Sequence, residues 1–398
     1  MYNTIIANID ELWLKGKNRP LYFRVLREHI KEVVKIRHSD RTNLSLENHR
    51  FILRSESEFG EDTIIALSKI PGLHSLIPAI RIEKSFENIF PSILKEIGHR
   101  GIDNFSNFKI ETKRADKLFP LSSMEVSRMI GALVQKKFPD LKAKMKNPDL
   151  RLEIRILSDF IYISSRRIDG IGGLPSGTNG HLITLLSGGI DSPVASFLMS
   201  KRGCRQTFLF FYAYPMVGDE VKKKIDKLIS ILSGYQKFTK LYIIKFGDFQ
   251  KKLAKLCKEE YRTILFRVYM MKCGSMLARN IGADALLTGD SLGQVSSQTL
   301  TNISVIDRFT DISILRPLIG QNKIEIIELA KKIGTYDTSI IPYDDACSML
   351  APKHPVIRAD INYVNSFLEE NQLTEELELL MNEADIYFLN SKGEIKKK

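Results

Sequence analysis

The sequence predicts an α+β front half followed by an α/β second half built on a mostly parallel sheet. Three observations carry this. Short strand-like runs alternate with amphipathic helical stretches through the first 168 residues. Residues 169–180, DGIGGLPSGTNG, contain five glycines and mark the clearest change of composition. Beyond them, continuous apolar runs alternate with long helical patterns, as buried parallel strands and their crossover helices do.

In the front half, TIIANIDEL and HRFILRS read as strands. Between them RPLYFRVLREHIKEVVKI places Leu21, Val25, Leu26, Ile30, Val33 and Val34 at three- and four-residue steps, which makes one apolar helical face. The pattern then recurs. IPAIRIEK, NFKIETKR, DLRLEIRILSD and FIYISSRRI read as strands, and NIFPSILKEIG and SSMEVSRMIGALVQKKF as helices. Helices on one side of a small mixed sheet satisfy this order.

After the glycines, HLITLLS is a buried strand, SPVASFLMSKRG a helix and QTFLFFYAYP a second strand. LYIIKF and DALLTGD read as further strands, with helices at 219–233, 249–258 and 260–281, which describes a doubly wound domain. The last forty or so residues read as helical and acidic, with the final EIKKK frayed.

A chain of 398 residues with 43% hydrophobic and 27% charged side chains is ordinary globular material of two to four domains, which excludes fibrous and wholly disordered classes. No apolar run is long enough to span a bilayer, and the start lacks the order of a signal peptide. A soluble, cytoplasmic protein is expected. Cys204, Cys257, Cys273 and Cys347 form no CxxC pair and the seven histidines no HExxH, so no metal site is expected and the cysteines should be thiols. The formal charge is +12, and 30 basic against 22 acidic residues place +8 of it in residues 1–175. Such a balance invites a polyanion, although a solvated basic surface accounts for it equally well.

The feature that carries chemistry is Leu185-Leu186-Ser187-Gly188-Gly189-Ile190-Asp191-Ser192-Pro193, between a buried strand and a helix. Pro193 suits a first helical turn. The glycines permit a tight turn, and the serines add hydroxyls, so the loop aims N–H groups at an anion on the positive helix end. It is not a Walker A loop, since GK[ST] is missing. Asp191 has an ordinary role as a helix cap and a functional one in orienting a metal-bound pyrophosphate or the attacking group.

SGGIDS in this setting resembles the PP-loop of ATP pyrophosphatases, which split ATP between the α- and β-phosphates. GIGGLPSGTNG, TKRADKLFPLSSMEV (112–126), ADALLTGDSLGQVSSQTLTN (283–302), LRPLIGQNKIEII (315–327) and IGTYDTSIIPYDDACSMLAPKHP (333–355) extend the likeness along nearly the whole chain. Together they resemble the tRNA 4-thiouridine synthetases, or tRNA uracil 4-sulfurtransferases. The resemblance implies a ferredoxin-like domain at 1–58, a THUMP RNA-binding domain at 59–167, a glycine-rich linker at 168–180 and a PP-loop domain at 181–398. It implies ATP and Mg2+, and a two-step reaction: O4 of the uridine at tRNA position 8 is adenylated with release of pyrophosphate, then a sulfur nucleophile displaces AMP.

The same resemblance assigns residues. Leu185, Leu186, Ser187, Gly188, Gly189, Asp191 and Ser192 belong to the ATP loop. Phe210 and Phe211 flank the adenosine, with an ordinary reading as core. Arg267, Gly289 and Gln298 are nucleotide contacts, and Lys323 is linked to adenylation. Cys347 matches a cysteine that, in longer relatives, forms a disulfide with the persulfide cysteine of a rhodanese domain. This chain has no room for that domain of about 100 residues. Sulfur is therefore expected from an external cysteine desulfurase, a persulfide carrier or sulfide, with Cys347 itself able to take up a persulfide. Delivery of sulfur to thiamine synthesis belongs to the longer form and is not expected here. Lys113, Arg114 and Lys117, with Lys136 and Lys137 nearby, suit phosphates of the tRNA acceptor stem and CCA end, and relatives act as homodimers. Two other readings remain open on sequence: a PP-loop enzyme acting on another tRNA base or on a small molecule, the latter having no need of the basic front half, and an RNA-binding protein with a silent nucleotide pocket.

Overall fold

The computed structural model describes residues 2–47, 49–342 and 350–397. The chain forms two compact units, one of residues 1–15 and 30–172, the other of 16–29 and 173–398.

The first unit is organised by one nine-stranded sheet. In chain order its elements are β1 (Thr4–Ile9), α1 (Arg19–Arg37, whose first part groups with the second unit), β2 (Thr42–Glu47), β3 (Arg50–Ser55), α2 (Glu61–Ser68) and β4 (Leu73–Glu83). Then come α3 (Ile89–Arg100), β5 (Asn107–Arg114), α4 (Ser123–Lys137), β6 (Lys142–Ala143), β7 (Leu150–Ile156), β8 (Phe160–Ser164) and β9 (Ile168–Asp169). The strand order is β2-β3-β1-β4-β8-β7-β5-β6, with β9 also on β4. β4 is long enough to serve two partners: Leu73–Ala79 pairs with β1 and Ile80–Glu83 with β8. β5 runs parallel to β7 and to β6, and the other pairs are antiparallel. α3 and α4 close a core of Ile93, Ile97, Val126, Ile130 and Val134 over Phe108, Leu152 and Ile154. Ser122 and Glu125 start α4 with a reciprocal capping box. β2 is a strand that the front-half pattern did not reveal, because its polar alternation, TNLSLE, leaves no buried face.

The second unit is a seven-stranded sheet. It contains β10 (His181–Leu186), α5 (Asp191–Lys201), β11 (Arg205–Tyr212), α6 (Glu220–Ser233), β12 (Phe238–Lys245), α7 (Gly247–Leu256), α8 (Arg262–Ile281) and β13 (Ala285–Leu287). α9 (Leu300–Asp307), β14 (Ser313–Leu315), α10 (Lys323–Ile333), α11 (Tyr336–Ser339), α12 (Ile361–Asn371), α13 (Thr374–Asn382), β15 (Asp385–Asn390) and β16 (Ile395–Lys397) follow. The order β14-β13-β10-β11-β12-β15-β16 is parallel through its first five strands. Alternate residues of β10 and β11 serve opposite faces. Ile183, Leu209 and Phe211 join a core with Leu265, Val268 and Tyr269 of α8. Thr184 and Gln206 lie on the other face, where the Gln206 amide donates to Ser196 O and Ser200 Oγ of α5.

The C-terminal expectation needs correction. DIYFLN is not helical but forms β15, antiparallel to β12, and EIKKK is not frayed but supplies β16. The acidic helix before it masked a short period-two run in which Leu389 is buried. Gly393, at φ 85°, makes the turn that returns the chain.

Candidate active site

The site lies at the carboxyl ends of β10 and β13, where open α/β sheets place ligands. After Leu186 the chain turns through Ser187–Ile190 into α5. Two serines close this turn: the Ser187 N–H donates to Ser192 Oγ at 2.8 Å, the two hydroxyls are 3.1 Å apart, and the Gly189 N–H donates to Ser187 Oγ at 3.3 Å. Gly289, just beyond β13, lies against the first turn of α5. A Cβ there would stand 2.6 Å from the Ser192 nitrogen, so the approach requires glycine.

α10 starts at the same spot. Asn322 Oδ1 accepts from the N–H groups of Ile324 and Glu325, and Glu325 accepts from the Asn322 N–H, which fixes Lys323 as the first helical residue. Lys323 Nζ lies 2.6 Å from Asp191 Oδ1, and Gln294 Nε2 donates to Asp191 Oδ2 at 2.9 Å. The N-termini of α5 and α10, each eleven residues long, and one ammonium thus meet at the loop. The start of α5 has no side-chain cap, whereas the N–H groups of Ile324 and Glu325 at the start of α10 are capped by Asn322; each helix end carries about half a positive charge. A polyphosphate is the ligand such a place suits.

Beside it is a cavity of about 250 Å³. Leu185, Met270 and Met271 give it an apolar side; Ser187, Asp191 and Ser192 form the loop end; Thr288, Gly289, Asp290, Ser297 and Gln298 form the far wall. Asp290 is buried and organises that wall. It accepts from Arg267 Nη2 at 2.6 Å, Arg316 Nε at 3.0 Å, Thr288 Oγ1 at 2.8 Å and Gln298 Nε2 at 3.2 Å. Burial alone would raise its pKa, but Arg267, Thr288 and Arg316 outweigh that and hold the carboxyl down at about 2. A carboxylate only accepts, so Gln298 must turn its amide nitrogen to Asp290. Its Oε1 is left buried at the cavity wall with no donor among the described residues.

The structure therefore brings Leu185, Ser187, Asp191, Ser192, Arg267, Gly289 and Gln298 to one cavity, with Gly188 and Gly189 in the turn and Lys323 on Asp191. Leu186, Phe210 and Phe211 do not line it. Phe210 and Phe211 are consecutive strand residues and point to opposite faces; Phe211 packs on Phe246 within the α8 core. Asp290, Arg316 and Gln294 were not singled out from sequence. Asp290 directly follows the Gly289 of LLTGD, and an acidic residue entering a buried strand end is the signal that marks it.

Cys347 lies outside the described residues. The other thiols are poor nucleophiles: burial raises the pKa of Cys204 and Cys273, and pushes Cys257 up to about 11. In the first unit, Arg114 spends its guanidinium on the Phe119 and Leu121 carbonyls, ordering the loop after β5, and Lys113 pairs with Glu111 and Glu153. Lys117, Lys136 and Lys137 are exposed.

A cavity of about 250 Å³ beside a PP-loop turn, in a chain whose front unit is a separate α+β module, defines an ATP-using enzyme of the PP-loop class. Comparison with known proteins agrees. The family described as Thiamine biosynthesis protein (ThiI) matches residues 177–373, the THUMP domain residues 83–166 and the ThiI ferredoxin-like domain residues 4–76. A probable tRNA sulfurtransferase of Acetivibrio thermocellus is 36% identical over 96% of this chain and 97% of its own length. Another, of Thermoanaerobacter pseudethanolicus, is 38% identical over 92% and 94%. A crystal structure of a 4-thiouridine synthetase–RNA complex with bound ATP superposes with a TM-score of 0.87 at 30% identity, covering 98% of this chain and 100% of that one. The chain belongs to the ThiI family of tRNA sulfurtransferases.

Proposed function

We propose that the protein transfers sulfur to the uridine at position 8 of tRNA, forming 4-thiouridine through an adenylated base. The observation that carries this is the meeting of two helix N-termini and Lys323 at Asp191, beside a cavity with an unsatisfied amide oxygen. The triphosphate binds at the α5–α10 end and the adenine in the cavity. Gln298 Oε1 accepts from the adenine amino group, and Arg267, which shares Asp290 Oδ1 with Gln298, holds that wall of the cavity. O4 of the uridine attacks the α-phosphorus and pyrophosphate leaves. Lys323 and the loop N–H groups stabilise the charge that develops on the phosphates. The modified oxygen then departs as AMP, a far better leaving group than a carbonyl oxygen.

Among the described residues no cluster of three or more His, Cys, Asp or Glu side chains could hold a metal ion. One carboxylate at the phosphate end fits Mg2+, which takes most of its ligands from phosphates and water. Asp191 would hold it, and the ion would supply charge neutralisation on pyrophosphate.

Sulfur arrives from an external donor as sulfide or persulfide. Sulfide attacks C4 directly. A persulfide on Cys347 attacks C4 through its outer sulfur and AMP leaves; an external thiol then attacks Cys347 Sγ, so that the S–S bond breaks, 4-thiouridine leaves as its thiolate and Cys347 is left in a mixed disulfide with that thiol. The high pKa values of the described thiols favour Cys347 for this role. The basic first unit grips tRNA phosphates through Lys117, Lys136 and Lys137, with Arg114 shaping the loop. A homodimer in the cytoplasm completes the proposal. The test is tRNA-stimulated pyrophosphate release coupled to 4-thiouridine detected by mass spectrometry. A small-molecule synthetase ignores tRNA, and release without tRNA dependence rejects the reading.

A further inference from the structure

The loop after β13 presents a glutamine at the mouth of the site. Ser291 Oγ donates to the Gln321 carbonyl at 2.9 Å, and the Leu292 N–H to the Ile319 carbonyl at 3.1 Å. These bonds tie the loop to the segment that leads into Lys323. Gly293, at φ 73°, turns the chain, and its N–H donates to the Gln298 carbonyl at 2.8 Å. The loop is thus held at both ends, and its tip carries Gln294. This side chain is exposed, yet its Nε2 donates to Asp191 Oδ2 at 2.9 Å.

That bond settles which way the amide faces. Asp191 meets the Lys323 ammonium at 2.6 Å as a carboxylate, and a carboxylate only accepts. The nitrogen of Gln294 must therefore stay on Asp191. Its second Nε2 hydrogen and its Oε1 are left without partners among the described residues. Apolar side chains stand beside this polar edge. Leu292 and Val295, on either side of the tip, are 49% and 50% exposed, and Val295 lines the cavity. Ile319, bonded to Leu292 through the backbone, is 38% exposed, and Ile324, next to Lys323, is 70% exposed. One exposed apolar side chain needs no explanation, but four beside the Asp191–Lys323 pair form a rim.

A base taken out of its stack is held by apolar side chains and by hydrogen bonds to its Watson–Crick edge. We propose that Gln294 determines specificity for the target base. Oε1 accepts from N3–H of uracil, the free Nε2 hydrogen meets O4, and the rim of Leu292, Val295, Ile319 and Ile324 holds the ring. This deepens the uridine reading above and rests on it. The contact sets O4 beside the turn that receives the phosphates. Cytosine offers the reverse edge, an N3 acceptor and an N4 donor. The amide cannot flip to suit it without turning its oxygen onto the Asp191 carboxylate. As O4 bonds to phosphorus, C4=N3 forms and the N3 proton passes to water, because an amide oxygen accepts a hydrogen bond but is too weak a base to keep the proton.

The experiment uses the full chain with α,β-methylene-ATP, which cannot be split, and a tRNA transcript carrying 4-thiouridine at position 8. Near-ultraviolet light joins that base to side chains in contact with it, and mass spectrometry maps the adduct. It should fall on Leu292, Gln294, Val295, Ile319 or Ile324. An adduct only elsewhere, or none, overturns the inference. Unlabelled transcripts with uridine or cytidine at position 8 then compete for the adduct. Wild type should need about fivefold or more of the cytidine transcript for equal competition, and Gln294→Met should bring the two within about twofold. This ratio does not change with the folded fraction. Equal competition in wild type, or an unchanged preference in Gln294→Met, overturns the inference. Pyrophosphate release with ATP separates the failures. If tRNA does not stimulate it, the uridine reading falls and the inference with it. If uridine-8 transcripts alone stimulate it while the adduct lies elsewhere, only the role of Gln294 is wrong.

Discussion

Lys323 and Asp191 form an ion pair of 2.6 Å between the first residues of two helices that are 132 positions apart in sequence. The pair concentrates charge of both signs at the turn where a triphosphate would enter. Asp191→Asn and Lys323→Met should each lower tRNA-dependent pyrophosphate release by about a hundredfold or more, the usual cost of removing a transition-state electrostatic group. Affinity for tRNA, measured by filter binding, should change little. A comparable loss of tRNA affinity would assign the pair to RNA binding.

Gly289 is the steric hinge of the site. Gly289→Ala forces a Cβ against the Ser192 nitrogen and the Asp191 carbonyl carbon, at 2.6 and 2.8 Å. The expected outcome is a loss of about 1–3 kcal/mol of stability in urea unfolding and a larger loss of ATP affinity by calorimetry. Wild-type ATP affinity in this variant would show that the contact is not needed to shape the loop.

Asp290 ties the cavity wall together. Asp290→Ala leaves Arg267 and Arg316 facing each other without their shared carboxylate and should cost about 3–5 kcal/mol. The pH dependence follows in sign. The carboxyl sits at about 2 in the fold against a usual 3.8, so its stabilisation is complete above pH 4 and disappears as pH falls from about 4 to 2. His181 acts in a higher window. Burial and the neighbouring Arg205 push its pKa down to about 4, while Nε2 meets Thr207 Oγ1 at 2.9 Å. The unfolded chain binds that proton first, so stability from neutral His181 is full above about 6.5 and is lost toward 4. Thermal melts at pH 7 and pH 5 should show a smaller drop for His181→Gln than for wild type. An equal drop in both would place the sensitive group elsewhere.

On the first unit, the basic residues divide by what they touch. Replacing Lys117, Lys136 and Lys137 by alanine should flatten the salt dependence of tRNA binding by a slope of about two, with little change in melting temperature. Arg114→Ala should instead lower the melting temperature, because two loop carbonyls lose their donor. A changed salt slope without a change in melting would give Arg114 a direct phosphate contact.

The sequence made some elements plain and hid others for physical reasons. The helical faces of α1 and α4 and the buried run of β10 announced themselves by period and length. SGGIDS located the turn at residues 187–192. Phe210 and Phe211 lie on opposite faces of β11, as neighbouring strand residues do, and neither lines the cavity at the loop. Asp290 and Arg316 were invisible as a pair because their 26-residue separation is closed only by the β13–β14 pairing. The β15–β16 hairpin was hidden by the acidic helices before it, and the burial of Lys224 on α6 by the ordinary expectation that a helical lysine faces water.

On the proposed function, the Asp191–Lys323 turn moves AMP from ATP onto a tRNA uridine. The most direct measurement incubates the protein with α-phosphate-labelled ATP and unmodified tRNA transcript, without any sulfur donor, and looks for label on the RNA. Label should appear on the tRNA, be lost in Asp191→Asn and with a transcript carrying cytidine at position 8, and be discharged as AMP when sulfide is added. Label that survives the cytidine replacement, or pyrophosphate released at the same rate without tRNA, would contradict the proposed function.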